Sequence, residues 1–289
     1  MGIDTQSLTP TQESLFLTLG LRAIDATLEP PFLGDQMAAQ VAQASGFDMS
    51  RFPLLVTTRM SPRVKATSTS LRTKLEDEVV TRFVRAYPDA VVLDLGAGLD
   101  TRAFRINPPA TVDWYDVDFP AVIDLRHQLI PKRAHTHTVS TDITDVGWLN
   151  DIPADRPTMI VHDGLVPFLT MGDYQELQRR LTRHFTSGGE IVHNNYTKPA
   201  VWTLKLSRVF PDVPGTGFND ARAPETWGAG LELVEEIFVL RSPELEYLTM
   251  SRFIRSLLKI CARSATLCRQ LEAAALHYRF GAHSPKRVA

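Results

Sequence analysis

The sequence predicts an α/β protein with one core domain built on a mostly parallel β-sheet. From residue 90 onward, short β-rich runs alternate with helical stretches, which is typical of parallel strands joined by helices. A chain of 289 residues, with 44% hydrophobic and 22% charged residues, is long enough for one such core with additional helices. Amphipathic segments before the first strand predict a helical cover over part of the sheet.

The strand pattern places five strands in the first part of the core. They are predicted at residues 90–95, 112–117, 135–139, 159–162 and 190–195. Two later runs, at residues 231–240 and 275–280, are expected to form a final antiparallel pair.

The helices have clear apolar periodicity and clear stop signals. Beyond the amphipathic run that stops at Pro30, helices are predicted at residues 35–44, 70–87, 121–129, 173–185 and 248–261. We therefore expect residues 1–69 to form the N-terminal helical cover and residues 70–289 the core. An irregular stretch rich in Pro and Gly, residues 198–227, is expected to lie over the site as an insertion.

Charge and hydropathy exclude several classes of function. The net charge of -2 carries no basic excess, so nucleic acid is not expected as a partner. No apolar run reaches the roughly 20 residues that span a bilayer, and the first residues lack a signal-peptide pattern, so we expect a cytoplasmic protein with no membrane partner. His135 and His137 have no acidic or cysteine companion at ligand spacing, so no metal is predicted. The oligomeric state cannot be predicted from the sequence.

The sharpest local signal is a glycine turn after the first predicted core strand. Gly96 and Gly98 follow a buried apolar run and precede a predicted helix, and a glycine pair allows the backbone to approach a ligand closely. A second strand with an acidic end, residues 113–118, follows about 20 residues later, where a carboxylate can bind the hydroxyls of a ribose. The two features together indicate a nucleoside site.

Dinucleotide enzymes and methyltransferases share this geometry, and the charges around the turn help to separate them. The third small residue of the dinucleotide pattern would fall on Thr101. Asp94 and Asp100 flank the turn, where they would repel a pyrophosphate and suit the cationic groups of S-adenosylmethionine. Arg102 and Arg105 partly offset this argument. A tight turn with capping aspartates and no ligand is the remaining alternative.

Four short motifs occur in a fixed order across roughly residues 70–195. They are Leu71-Arg72-Thr73, the turn at residues 95–102, Val117-Asp118-Phe119-Pro120 followed by Arg126, and His162-Asp163-Gly164-Leu165. With this set, the sequence resembles the leucine carboxyl methyltransferases and the related O-methyltransferases of polyketide biosynthesis. The resemblance implies a class I methyltransferase that uses S-adenosylmethionine. It also implies a Rossmann-like sheet of seven strands whose last strand is antiparallel.

The resemblance implies cofactor contacts in the first half of the core. Arg72 would bind the carboxylate of the cofactor, Gly96 would lie under its methionine part, and Asp118 would hold the ribose. Each side chain has an alternative: Arg72 could instead pair with Glu76 one helical turn away. We expect Asp116 and Asp118 to face opposite sides of the sheet, so that only one reaches the ribose, and the motif selects Asp118.

Further contacts are implied after the third and fourth strands. Asp142 and Ile143 would meet the adenine edge, and Asp163 would hold the amino group of the cofactor. Asp142 could equally cap the segment after its strand. The chain departs from the family at two positions, since the family usually has Glu in place of Asp163 and Tyr in place of Phe168.

The acceptor side is predicted at the end of the last parallel strand. His193, Asn194 and Tyr196 follow one another at the carboxyl edge of the sheet, where ligands of open α/β folds bind, although a structural role for the histidine is an alternative. Methyl transfer mainly requires alignment, and a carboxylate acceptor needs no base, whereas a phenol would benefit from His162 or His193. The resemblance favours a small-molecule carboxylate. A non-catalytic cofactor-binding protein and an NAD-dependent dehydrogenase are the alternatives, and no catalytic residue is assigned.

Overall fold

A computed structural model describes residues 8–52, 61–206, 213–248, 250–271 and 274–281. Within them lies a seven-stranded sheet with the strand order β3-β2-β1-β4-β5-β7-β6. The strands are β1 Val91–Leu95, β2 Asp113–Asp118, β3 Thr136–Ser140, β4 Thr158–His162, β5 Gly189–Asn195, β6 Leu231–Ile237 and β7 Ala274–Phe280. Strands β1 to β5 pair in parallel, and β7 runs antiparallel between β5 and β6. The predicted fold class, including the antiparallel last strand, is confirmed.

The middle of the sheet sets the position of the site. Strand β1 has five fully buried residues and pairs with β2 on one side and with β4 on the other. The strand order reverses at this point, because the chain runs from β1 to β2 and β3 on one side and then continues with β4 on the other. In open α/β sheets, ligands bind in the crevice that such a reversal leaves.

Nine α-helices surround the sheet in the described part of the chain. They are α1 Pro10–Asp25, α2 Gln36–Ser45, α3 Pro62–Ala86, α4 Arg102–Ile106, α5 Pro120–Leu129, α6 Met171–His184, α7 Lys198–Leu206, α8 Arg252–Cys261 and α9 Ala265–Leu271. Helix α8 begins four residues later than predicted because Ser251 caps it, accepting a hydrogen bond from the backbone N–H of Ile254. None of the described helices combines the length and the apolar content needed to cross a bilayer.

The first helix is packed into the core rather than laid loosely over it. Phe16 and Leu19 of α1 are fully buried in a cluster with Leu99 and Val122. Truncation of this helix would expose that cluster. The division into a cover and a core stays a prediction, and α3 runs unbroken through the boundary between residues 69 and 70.

A buried histidine joins the three strands at the antiparallel side of the sheet. His277 on β7 lies 2.8 Å from Glu190 on β5 and 3.3 Å from Glu235 on β6. Burial alone lowers the pKa of His277, but the two carboxylates raise it above its ordinary value on balance. The protonated histidine therefore stabilises the folded state.

We expect this contribution to depend on pH. Because the folded pKa is raised, the stabilisation is complete below the ordinary histidine value, about pH 6.5, and is lost as the pH rises through the folded pKa. The difference in unfolding free energy between the wild type and His277→Gln should therefore shrink from pH 6 to pH 9 in urea titrations. In a background of Glu190→Gln and Glu235→Gln the difference should no longer shrink over this range, because burial without the two carboxylates lowers the pKa of His277. A difference that stays constant in the native background would contradict the role given to the two carboxylates.

Candidate functional site

A cavity of about 450 Å³ opens at the carboxyl ends of β1, β2 and β4. Its lining combines the glycine turn after β1, the ends of β2 and β4, the segments that follow β3 and β4, and the facing sides of α1 and α3. The volume is within the roughly 300–1,000 Å³ of small-molecule sites. The cavity thus occupies the crevice that the strand order creates.

The glycine turn forms the floor of the cavity. Gly96 and Gly98 have φ angles of 66° and 49°, a left-handed conformation that side chains with a Cβ rarely adopt. A Cβ on Gly96 would lie 3.3 Å from Leu165, and a Cβ on Gly98 would lie 3.3 Å from Leu15. The floor is therefore a cradle that depends on both glycines.

An arginine on α5 holds the glycine turn in place. Arg126 Nη1 donates hydrogen bonds to the carbonyl oxygens of Gly98, at 2.7 Å, and Asp100, at 2.9 Å. Its Nη2 donates to the carboxylate of Asp116 on β2. This side chain belongs to one of the sequence motifs, but its task is visible only in the structure.

The two aspartates near the end of β2 have different surroundings. Asp118 lines the cavity, and its carboxylate accepts hydrogen bonds from the backbone N–H groups of Gly98 and Phe119, both at 2.7 Å. Burial raises the pKa of Asp118, although these two donors counteract the effect. Asp116 accepts from the indole of Trp114 at 2.9 Å and is paired with Arg126.

The expectation that Asp116 and Asp118 face opposite sides of the sheet is wrong. Side chains two residues apart on a strand share a face. The two carboxylates differ in their position along β2, since Asp118 is its last residue and Asp116 lies two residues before the end of the strand. Only the carboxylate at the strand end reaches the cavity.

Two predicted cofactor residues bind each other across the cavity wall. The Nε of Arg72 lies 2.7 Å from Asp163 Oδ1, and a second nitrogen donates to Oδ2 at 3.1 Å. Burial alone lowers the pKa of Arg72, and Asp163 raises it above its ordinary value on balance. The alternative pair with Glu76 does not form, because Glu76 binds Arg102 at 3.2 Å. The Arg72–Asp163 pair presents a cation and an anion side by side.

Asp142 and Ile143 line the opposite end of the cavity, after β3. One oxygen of Asp142 accepts hydrogen bonds from the backbone N–H and the hydroxyl of Thr144, at 2.8 Å and 2.7 Å. The capping role considered for this aspartate is therefore present, together with its place on the cavity. Ile143 is buried and supplies apolar surface.

The two histidines considered as bases do not lie on the cavity. His193 is buried, with its ring nitrogens 3.0 Å from the hydroxyl of Tyr174 and 3.0 Å from the carbonyl oxygen of Asn194. His162 stacks on it, with ring centroids 4.7 Å apart. Burial lowers the pKa of His193 to about 4 and holds that of His162 well below its ordinary value. Both rings are packed inside the protein away from the cavity, as the structural alternative for His193 expects.

The other two acceptor-side candidates, Asn194 and Tyr196, differ in whether they reach the cavity. The side-chain oxygen of Asn194 accepts a hydrogen bond from the backbone N–H of Gly164 at 2.6 Å, which fixes the segment that carries Asp163. Tyr196 lines the cavity, and its hydroxyl accepts a hydrogen bond from Arg72 at 3.3 Å. Of the three predicted acceptor residues, the structure brings Tyr196 alone to the cavity.

The carboxylates that flank the glycine turn are already paired with arginines. Asp94 binds Arg102 at 3.0 Å, and Asp100 binds Arg105 at 2.5 Å and Arg22 at 3.2 Å. Their charges are balanced within the protein. The electrostatic argument that set them against a pyrophosphate is therefore weaker than the sequence indicated.

Sequence reasoning gave no role to Arg22 of α1, which joins that helix to the turn. Its guanidinium donates to the carbonyl oxygen of Leu99 at 3.2 Å as well as to Asp100. A signal was present, because Arg22 stands among apolar residues on the buried stripe of α1. An arginine on such a stripe indicates a buried ion pair.

His137 of β3 and His135, which directly precedes that strand, have an acidic neighbour that their spacing in the sequence did not reveal. Asp113 Oδ1 lies 3.8 Å from His135 and 3.5 Å from His137, and Arg156 donates to the other oxygen at 2.7 Å. No group of three or more metal-binding side chains with suitable geometry occurs in the described ranges.

Comparison with known proteins identifies the family. A model of leucine carboxyl methyltransferase matches residues 16–182. The chain belongs to the leucine carboxyl methyltransferase family. It is therefore an S-adenosylmethionine-dependent methyltransferase, as the motifs predicted, and the match extends the likeness back into α1.

Relatives and a solved fold agree with the family. The tetracenomycin polyketide synthesis O-methyltransferase TcmP of Streptomyces glaucescens is 36% identical over 248 residues, covering 84% of this chain and 88% of the relative. The S-adenosyl-L-methionine-dependent methyltransferase dpfgK of Gibberella zeae is 32% identical, covering 81% and 84%. A crystal structure from Thermobifida fusca has the same fold, with a TM-score of 0.55 at 18% identity, covering 91% of this chain and 94% of that one.

Proposed function

We propose that this methyltransferase transfers the methyl group to a carboxylate oxygen of a small-molecule acceptor. The observation that carries the proposal is the composition of the cavity wall. Among the described residues that line it there is no histidine, lysine, cysteine or glutamate. A phenol, with a pKa near 10, needs a base that such a wall does not supply, whereas a carboxylate, with a pKa near 4, is already ionised.

The aspartates of the wall do not change this conclusion. Carboxylates are weak bases toward a phenol with a pKa near 10, and this holds even for Asp94, whose pKa burial raises to about 7. Asp94, Asp100 and Asp163 are moreover held by arginines. The family name and the name of the Streptomyces glaucescens relative, a polyketide synthesis O-methyltransferase, also support transfer to an oxygen.

The cavity residues fit the cofactor at both of its ends. We assign the amino-acid end to the Arg72–Asp163 pair, whose cation and anion match a carboxylate and an ammonium group. Gly96 offers backbone without a Cβ beneath the methionine part. Asp118 would hold the ribose through its free lone pairs, because its two N–H partners occupy only part of its capacity.

We assign the adenine end to Asp142 and Ile143. Thr144 occupies one carboxylate oxygen of Asp142, which leaves the other oxygen for the adenine. Ile143 offers an apolar face to the ring. The glycine cradle and these paired charges are the structural grounds for the fit.

The acceptor side is formed mainly by apolar side chains. Leu165, Phe168 and Leu169 after β4 lie on the cavity together with Leu21 of α1, and Tyr196 adds one hydroxyl. Phe168 stands where the family usually has a tyrosine, so this wall has one hydroxyl fewer. We expect an acceptor with a hydrophobic scaffold and few hydrogen-bonding groups.

The protein's contribution to catalysis is alignment and the exclusion of water. When bound, S-adenosylmethionine supplies a methyl group on a positively charged sulfur, and the departing thioether needs no proton. Residues of α1 close one side of the cavity, and Pro214 from the predicted insertion contributes to another. Residues 207–212 of that insertion lie outside the described residues. Holding nucleophile and methyl group aligned accounts for several kcal/mol, about 7–11 in well-oriented reactions.

The pH profile of turnover distinguishes a carboxylate from a phenol. We expect transfer of labelled methyl groups to a panel of polycyclic aromatic carboxylic acids, with a kcat/KM that is flat between pH 6 and pH 8 because the nucleophile is ionised throughout. Matched phenols, with the carboxyl group methylated in advance, should not react. Calorimetric binding of S-adenosylhomocysteine serves as the control for a competent enzyme. Turnover confined to phenols and rising with pH would contradict the proposal.

A further inference from the structure

Helix α8 carries a row of large apolar side chains that point into solvent. Phe253 is 78% exposed, Ile254 47%, Leu257 49% and Ile260 59%. Residues 253, 257 and 260 follow helical spacing, so they form one continuous stripe. Single exposed apolar residues are common, but a contiguous stripe of this kind marks an interaction surface.

The charged residues on α8 and α9 are all basic. Residues 247–271 contain no acidic residue and five basic ones, which are Arg252, Arg255, Lys259, Arg263 and Arg269. Lys259 and Arg252 lie on the solvent side of α8, next to the stripe by helical spacing. The 3.5 Å pair between Lys259 and Glu246 is exposed on both sides and leaves the lysine available.

We propose that this surface, the α8 face formed by Phe253, Ile254, Leu257 and Ile260 with Arg252 and Lys259, binds an anionic lipid bilayer. A helix with an apolar stripe beside basic residues lies in the plane of the membrane interface, with the stripe among the acyl chains and the cations at the headgroups. This inference is independent of the identity of the methyl acceptor.

Two features favour a bilayer over other occupants. The apolar side chains project from a convex helix, and fluid lipid accommodates such projections without a matching groove. A second copy of the chain, docked by the same face, would bring the two basic flanks together, which is unfavourable for like charges. The expectation of no membrane partner rested on the lack of a spanning segment, and an interfacial helix needs none.

Vesicle sedimentation tests the proposal with the full-length protein. We expect binding to vesicles of equal parts phosphatidylglycerol and phosphatidylcholine, weak binding to phosphatidylcholine alone, and weakening by added NaCl. The double variant Phe253→Glu/Leu257→Glu should lose binding by at least about tenfold. Arg252→Gln/Lys259→Gln should lose the preference for anionic lipid.

Val234→Glu is the matched control, since Val234 is 49% exposed on β6, as Leu257 is on α8. It should bind vesicles like the wild type, and every variant should retain its affinity for S-adenosylhomocysteine, which shows that the fold is intact. The proposal is overturned if the wild type does not bind anionic vesicles, or if the α8 variants bind as well as the control. It is also overturned if sedimentation equilibrium shows a dimer that the α8 variants dissociate while vesicle binding is absent, because the occupant is then a second copy.

Discussion

Replacement of Arg102 by alanine is expected to lower the free energy of unfolding by about 3–5 kcal/mol. Arg102 is 1% exposed, and its guanidinium binds Asp77 at 2.7 Å, Asp94 at 3.0 Å and Glu76 at 3.2 Å. The variant leaves three carboxylates in the interior without this cation, and removing one partner of a buried ion pair costs far more than the pair itself contributes. Urea unfolding at pH 7 measures the loss.

Arg279→Ala is the matched control for the loss of an arginine. Its guanidinium also binds a carboxylate through two nitrogens, that of Glu232, but these side chains are 41% and 60% exposed. A surface pair of this kind contributes about 0–1 kcal/mol. Similar losses of unfolding free energy in the two variants would show that the ion pairs of Arg102 stabilise the protein no more than a surface pair does.

Replacement of Asp118 by alanine is expected to weaken the binding of S-adenosylhomocysteine by roughly 1.5–3 kcal/mol, the range for hydrogen bonds to a charged group. This corresponds to about ten- to hundredfold in Kd. The variant removes the carboxylate proposed for the ribose. It also leaves the backbone N–H of Gly98 without its acceptor, since this N–H donates a hydrogen bond to the Asp118 carboxylate at 2.7 Å. Titration calorimetry on the folded variant measures the effect.

Two further variants sharpen this test. Asp124→Ala removes an exposed carboxylate from α5, away from the cavity, and should leave the affinity unchanged. Asp116→Ala should act on stability instead, because it leaves the buried guanidinium of Arg126 without its carboxylate. Equal affinities in the wild type and Asp118→Ala would refute the ribose assignment, while a loss in Asp116→Ala with unchanged stability would reverse the two roles.

Local patterns predicted the elements of the core with small errors at their ends. Helix α3 shows why one boundary failed, since it begins at Pro62 and not near residue 70. Val64 is 41% exposed, and Ser68 and Thr69 line the cavity, so the apolar period becomes visible only from Leu71. The sequence did contain a signal for the start of this helix, because Ser61 precedes a proline at the first helical position.

Local patterns in the sequence were sufficient to predict the sheet, the glycine turn and the family. A period of two or 3.6 residues and a glycine pair are local properties, which can be read without knowing any distant neighbour. Ordered motifs likewise identified the cofactor, and the family match confirms that identification.

The contacts between polar residues became visible only in the three-dimensional structure. Arg72 and Asp163 are 91 positions apart, and Arg22 and Asp100 are 78 apart, so spacing along the chain pointed to nearer partners such as Glu76. The sequence also did not reveal how deeply each side chain is buried. His193 and Tyr196 are close in sequence, yet His193 is buried away from the cavity and Tyr196 lines it. Pairing and burial depend on how separate elements pack, because a buried charge must find its counter-charge wherever the fold brings one.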